Sequence, residues 1–229
     1  MPTFADQILA FNREVHYTGD LPDGIRILNP FRSNPEVLRI SAAFYRKFYS
    51  DQQPRKLILG INPGRLGAGA TGIPFTDSKR LKDPCGLEAG ELQTHEPSSV
   101  FVYEVIEAMG GPEAFYRQFY INSVSPLGFV RRNKKGNWVN CNYYDFPELF
   151  AVVKPFILEN LRIQAGFGVA TSTCYALGKK NARFLEELNR EAGLFGQILA
   201  LDHPRYIVQY KSKEIPGYVA KYKRTLEQG

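Results

Sequence analysis

The sequence predicts an α/β fold with a largely parallel sheet covered by helices on both faces. Three observations carry that reading. Short apolar runs alternate with amphipathic segments along the chain, the run Leu57-Ile58-Leu59 empties directly into a glycine-rich loop, and no repeat, low-complexity tract or linker interrupts the pattern. Alternation of this kind is the signature of βαβ units. At 229 residues the chain has room for one sizeable α/β domain, taken as residues 1–229, and is short for two.

Residues 3–14 and 34–49 carry the apolar spacing of amphipathic helices, the second opening at Asn34-Pro35-Glu36. Residues 55–61 read as a short buried strand. Ser98 or Ser99 is expected to cap a helix running to about Met109, where Gly110-Gly111 would stop it. Residues 119–124 read as a second strand, and residues 130–139 as a basic hairpin turning at Gly136-Asn137. Asp145 and Glu148 have capping-box spacing ahead of a helix with Leu149, Val153, Ile157 and Leu161 on one face and an expected kink at Pro155. A strand at 166–171, a helix over about 173–192 ended by Gly193, a strand at 198–201 and a last helix from Pro216 complete the pattern.

The balance of 44% hydrophobic and 23% charged residues is that of an ordinary globular protein. The net charge of +6 favours polyanionic partners without requiring them. Cys85, Cys141 and Cys174 are isolated and odd in number, which excludes an all-cysteine zinc or iron–sulfur site and fits small core residues in a reducing compartment. The N-terminus lacks the basic and apolar regions of a signal peptide, and no apolar run is long enough to span a membrane. The expected location is therefore intracellular, cytoplasmic or nuclear, and not secreted.

The glycine loop, Gly60 to Gly72, holds Asn62, Pro63 and Gly64 and runs into Ile73-Pro74-Phe75. Glycines let the backbone approach a ligand closely, and loops at the carboxyl ends of parallel strands are where ligands bind. An amide beside a flat ring suits a planar heterocycle better than a bare phosphate. Asn62 read alone is a turn residue before proline, or an amide that holds water or a ligand atom. Phe75 is either core or a stacking platform at a pocket rim. Asn122, closing its strand, is either a satisfied polar group or a bidentate reader of a base edge. Among the histidines, His16 and His95 read as surface residues, whereas His203 leaves the strand at 198–201 and enters a loop. That loop, 205–213, carries Arg205, Tyr206, Tyr210, Lys211 and Lys213. It reads as an edge strand with charged flanks or as a segment that fills a base stack while cations meet phosphates. Arg131 and Arg132, with Lys134 and Lys135, read either as a solvated charged turn or as phosphate contacts.

Together these residues resemble the uracil-DNA glycosylase superfamily, most closely the single-strand-selective monofunctional uracil-DNA glycosylases. Gly60-Ile61-Asn62-Pro63-Gly64, Gly67 and Thr71-Gly72-Ile73-Pro74-Phe75 are similar to that family's first motif in order and spacing; Asn122 with Pro126-Leu127 resembles its base-recognition strand, and His203-Pro204 the opening of its last motif. The resemblance implies a three-layer α/β/α fold around a central, mainly parallel four-stranded sheet. It also implies a monofunctional DNA glycosylase that flips uracil or a related base from single- or double-stranded DNA and hydrolyses its N-glycosidic bond. By the same resemblance Asn62 positions water, Phe75 stacks on the base, Asn122 reads its edge, His203 donates to the departing ring, and the 205–213 segment fills the stack. No metal or organic cofactor is implied, no membrane partner, and the chain is expected to act as a monomer.

Two departures accompany the match. Arg205-Tyr206-Ile207 stands where the family has a Ser-Pro-type sequence, and Gly64 stands where strict uracil enzymes carry a bulky tyrosine. The glycine leaves room for 5-modified uracils, xanthine and hypoxanthine. Two other classes compete: a catalytically silent module that binds damaged DNA, and a nucleotide- or phosphate-binding α/β enzyme. The second is disfavoured because the loop has neither the P-loop pattern nor a compact G-x-G-x-x-G.

Overall fold

Thr3 opens the first helix, α1 (Phe4–Glu14), with a reciprocal cap: its hydroxyl accepts from the Asp6 N–H at 3.1 Å while the Asp6 carboxylate accepts from the Thr3 N–H at 2.9 Å. The computed structural model describes residues 1–229. A four-residue strand, β1 (Ile25–Leu28), and a one-turn helix, α2 (Pro30–Ser33), come next; both are too short to show periodicity in the sequence. Asn34 then caps α3 (Pro35–Phe48) by accepting from the Glu36 N–H.

The strand β2 (Arg55–Gly60) leads into the glycine loop, in which Ala68–Thr71 form a single helical turn, α4. Asp77 caps α5 (Ser78–Lys82). The next helix, α6 (Pro97–Ala108), starts two to three residues earlier than a serine cap at 98 or 99 would give: Glu96 holds the cap position and Ser98 and Ser99 lie inside the helix. Proline wins the first helical position because its missing N–H would find no partner there. Gly110, at φ +97°, ends α6 and begins α7 (Gly111–Gln118), which delivers the chain to β3 (Phe119–Ser123).

The basic hairpin is β4 (Gly128–Arg132) and β5 (Trp138–Cys141), joined through a turn in which the Asn133 side chain accepts from the N–H groups of Lys135 and Asn137. It pairs with β1 to form a separate antiparallel sheet in the order β1-β4-β5. Asp145 does not cap the following helix, α8 (Pro147–Ala165); its carboxylate instead accepts from Asn142, closing the preceding turn, and Phe146 stands at the cap position. The helix continues through Pro155 and buries Leu149, Val153, Ile157 and Leu161.

The expected boundary near residue 172 is displaced. The strand β6 (Val169–Leu177) runs through Thr173-Cys174-Tyr175, and only then does α9 (Lys179–Ala192) begin. An irregularity shifts the β6 pairing with β2 between Lys56 and Leu57, from Ala170 to Cys174, so polar Thr171 and Ser172 interrupt the apolar run without ending the strand. The last elements are β7 (Gln197–Leu201), α10 (Pro204–Tyr210) and α11 (Ile215–Gln228). The segment after His203 is thus a helix rather than an edge strand or open loop.

The main sheet has the parallel order β3-β2-β6-β7. Alternation along its strands sends Tyr120 against Phe4 of α1 on one face, with ring centroids 5.3 Å apart. On the other face Ile58, Ile121 and Leu177 meet Val102 of α6, Phe115 of α7 and Leu226 of α11. With α8 and α9 packed on β6, this makes three α/β/α layers. Cys85, Cys141 and Cys174 are buried free thiols. No helix is long and apolar enough to cross a membrane.

Candidate active site

Register places the site. Gly60 is level with Ser123, Leu59 with Ala176, and Leu177 with Leu201, so all four parallel strands end on one edge and Asn62, Ser125, Gly178 and His203 leave from it. Backbone bonds from Val124 N–H to Gly60 carbonyl and from Ser125 N–H to Ile61 carbonyl extend the β2–β3 ladder into the loops.

Asn62 is fixed from two sides. Its Nδ2 donates to the Cys141 carbonyl at 3.2 Å and its Oδ1 accepts from the Tyr143 N–H at 3.0 Å. A carbonyl can only accept and an N–H only donate, so the amide has one orientation. One N–H and one Oδ1 lone pair remain free to hold water or ligand. The same segment is anchored below by the Tyr143 hydroxyl, which donates to Oδ1 of fully buried Asn181 at 3.1 Å, while Asn181 Nδ2 donates to the carbonyls of Leu59 and Gly60. Tyr143 and Asn181 carry no sequence motif; only the tertiary arrangement exposes their part.

Phe75 is the single non-glycine residue with positive φ, at +53°. Such a backbone is strained for a bulky side chain and persists only where packing enforces it. The ring is buried, lies against Gly60, and meets the His203 imidazole at a centroid distance of 6.4 Å and an interplanar angle of 63°. Gly178 adjoins His203, where a Cβ would make only an ordinary 3.4 Å contact with that of the histidine; its φ of +99° is what calls for glycine.

His203 caps α10, its Nδ1 accepting from the Arg205 N–H at 3.1 Å. That bond requires Nδ1 to be unprotonated, so the neutral ring carries its proton on Nε2 as a donor. Burial, and secondarily the positive charge of Arg205, push the imidazole pKa down to about 4. The site therefore holds a neutral imidazole donor at neutral pH.

Asn122 donates from Nδ2 to the Tyr120 hydroxyl at 2.6 Å and accepts from the Ser123 N–H at 2.8 Å, again leaving one donor and one acceptor position. It borders a cavity of about 20 Å³ whose walls include Phe31, Pro63, Gly72, Pro74 and Pro126. That space is water-sized, too small for the planar heterocycle that the glycine loop suggests, and neither Phe75 nor His203 lines it. Gly64 is crowded from the hairpin side: a Cβ there would lie 3.3 Å from Asn140 Nδ2, and Asn140 Oδ1 accepts from the Arg65 N–H. Asn140 is a second neighbour of the loop that sequence reading did not single out.

The expected DNA-contacting cations fall into different settings. Arg205, Tyr206 and Tyr210 are exposed on α10, the two rings 5.7 Å apart one helical turn from each other, while Ile207 is buried. Lys211 is half-buried and paired with Glu214 at 2.8 Å, and Lys213 is exposed. Arg131 and Arg132 are exposed on opposite faces of the hairpin, over Phe146 and Trp138 respectively. His16 and His95 are exposed. No group of three or more His, Cys, Asp or Glu is placed to hold a metal ion.

Comparison with known proteins agrees with this architecture. The profile of the uracil DNA glycosylase superfamily matches residues 46–227. The crystal structure of wild-type SMUG2 from Pedobacter heparinus superposes with a TM-score of 0.96 at 50% sequence identity, covering 100% of this chain and 98% of that one. With the match spanning most of the chain and the sheet edge carrying the motif residues, the protein belongs to the uracil-DNA glycosylase superfamily, in its SMUG-like part.

Proposed function

We propose that this chain is a monofunctional glycosylase that removes uracil and related deaminated or 5-modified bases from DNA, with Asn62 orienting the attacking water and His203 stabilising the departing base. The observation that carries the reading is the neutral, tautomer-fixed His203 at the edge that also holds Asn62. Glycosidic cleavage passes through an oxocarbenium-like sugar. The C1′–N bond breaks with its electron pair staying on the base, water adds to C1′, and its proton leaves to solvent. Asn62 cannot take that proton, so the amide orients the water and most of the acceleration comes from stabilising the base anion. A preorganised donor such as His203 Nε2–H contributes about 10²–10³-fold.

Phe75 offers a ring face to the flipped base and Asn122 its remaining donor and acceptor to the pairing edge. A base needs more room than the water-sized space beside Asn122 provides. Extrusion costs a few kcal/mol and is easier from single strands or mispairs. The assigned groups are amide, imidazole and phenyl, none of them an amine, which supports hydrolysis without strand cleavage. On α10, Tyr206 and Tyr210 are suited to fill the vacated stack, with Arg205 and Lys213 beside them, and the protein acts as a monomer.

Base release from a uracil-containing oligonucleotide tests this directly. The wild type should release uracil and leave an intact abasic strand, and Asn62→Ala and His203→Ala should each slow release at least 100-fold with DNA binding retained. Unchanged turnover in both variants would overturn the assigned roles. Binding without any release would favour a silent damage-binding module.

A further inference from the structure

We propose that the outer face of the β1-β4-β5 sheet is a phosphate-gripping track for the damaged strand, in which Trp138 holds Arg26 and Arg132 as a two-guanidinium clamp. The inference rests on the glycosylase reading and extends it to a surface that neither the glycine loop nor α10 supplies.

Cross-strand partners share a face, and neighbours along a strand alternate. Arg26 pairs with Val130, Val130 with Asn140, and Arg132 with Trp138. One face therefore displays Arg26, Val130, Arg132, Trp138 and Asn140, while the other turns Phe129, Arg131 and Cys141 inward or toward Phe146. The first face is continuous with the site, because Asn140 Oδ1 accepts from the Arg65 N–H and its Nδ2 lies 3.3 Å from where a Cβ on Gly64 would stand.

The guanidinium carbons of Arg26 and Arg132 lie 4.4 and 5.3 Å from the centroid of the Trp138 ring. Neither arginine has a carboxylate within salt-bridge distance, and residues 128–141 contain no acidic side chain. A guanidinium held over an aromatic face keeps its N–H edges free, and those edges match phosphate bidentately. An aromatic holder also orders the side chain without neutralising it. Both arginines are exposed. Along β5 the step from Asn140 to Trp138 is about 7 Å, so the clamp lies close beside the mouth of the site. The clamp thus sits where the backbone flanking an extruded nucleotide would run.

The experiment measures binding of a uracil oligonucleotide by fluorescence anisotropy across a salt series, with base release in parallel. Loss of two phosphate contacts in the Arg26→Gln/Arg132→Gln double variant should reduce the slope of log K against log salt by about 1.4–1.8, with the activity loss falling on KM rather than kcat. Arg131→Gln, on the opposite face, should keep the wild-type slope. Trp138→Ala should lose part of the slope and Trp138→Phe, which keeps a ring, should recover it. A folded double variant with the wild-type slope, or an Arg131→Gln variant that loses as much, would overturn the proposal. A wild type that releases no uracil would defeat the glycosylase reading instead, and the binding slopes would separate the two failures.

Discussion

The hydroxyl of Tyr143 donates to Oδ1 of Asn181 across 3.1 Å inside the core, and Asn181 in turn holds the carbonyls of Leu59 and Gly60. Since the Tyr143 N–H also fixes Asn62, this pair ties the proposed water-orienting amide to the end of the central strand. Tyr143→Phe removes one buried hydrogen bond and leaves Asn181 Oδ1 unsatisfied. The expected cost is about 1–3 kcal/mol in stability, read by urea unfolding, together with a fall in kcat at unchanged KM.

His203 should give a distinct acid signature. Its folded pKa, near 4, lies below the ordinary histidine value of 6.5. The unfolded chain therefore binds more protons in that window, and stability should be lost as pH falls from about 6.5 toward 4. The slope attributable to this group is at most about 1.4 kcal/mol per pH unit. His203→Ala should flatten that part of the stability profile, and an NMR titration of the imidazole should show it neutral at pH 6.

Glu96 has the opposite sign. Its carboxyl fills the space a side chain at Gly67 would take, Oε2 has no hydrogen-bond partner, and burial followed by the charge of Asp77 pushes its pKa up to about 8. Between about 4.5 and 8 the native state holds more protons than the unfolded one, so stability falls as pH rises through that range. Glu96→Gln should remove this dependence and raise the melting temperature at pH 8. A variant with the wild-type profile would show that the carboxyl is not held protonated.

Gly64 is the place to narrow the pocket. A tyrosine there must pass Asn140 Nδ2, 3.3 Å from the Cβ position. Gly64→Tyr should lower or abolish release of hydroxymethyluracil, xanthine and hypoxanthine, measured as relative kcat/KM on a panel of oligonucleotides. Undiminished activity on every base would rule out the roomy-pocket reading.

The parallel sheet and its motif-bearing edge were legible because β2 contains the apolar run Leu57-Ile58-Leu59 and because the glycines, Asn62, Phe75 and His203 belong to a spaced pattern. Long helices with caps, such as the one that Asn34 opens, were legible for the same local reason. What stayed hidden depends on distant pairing. Thr171 and Ser172 broke the apolar run in β6, so the strand read as ending where it only shifts register. Proline decided the starts of α6 and α8 over nearby capping side chains. Tyr143, Asn181 and Asn140 act through hydrogen bonds to segments 38 to 122 positions away, and no spacing rule reports such bonds.

The same imidazole nitrogen that leaves Nε2–H as the donor also seats the first turn of α10. Acid protonates Nδ1, turns an acceptor toward an amide hydrogen into a second donor, and so evicts the cap. The proposed donor and the tyrosine-bearing surface thereby share one ring: a solution acidic enough to charge it would keep the Nε2–H yet loosen the segment that presents Tyr206 and Tyr210.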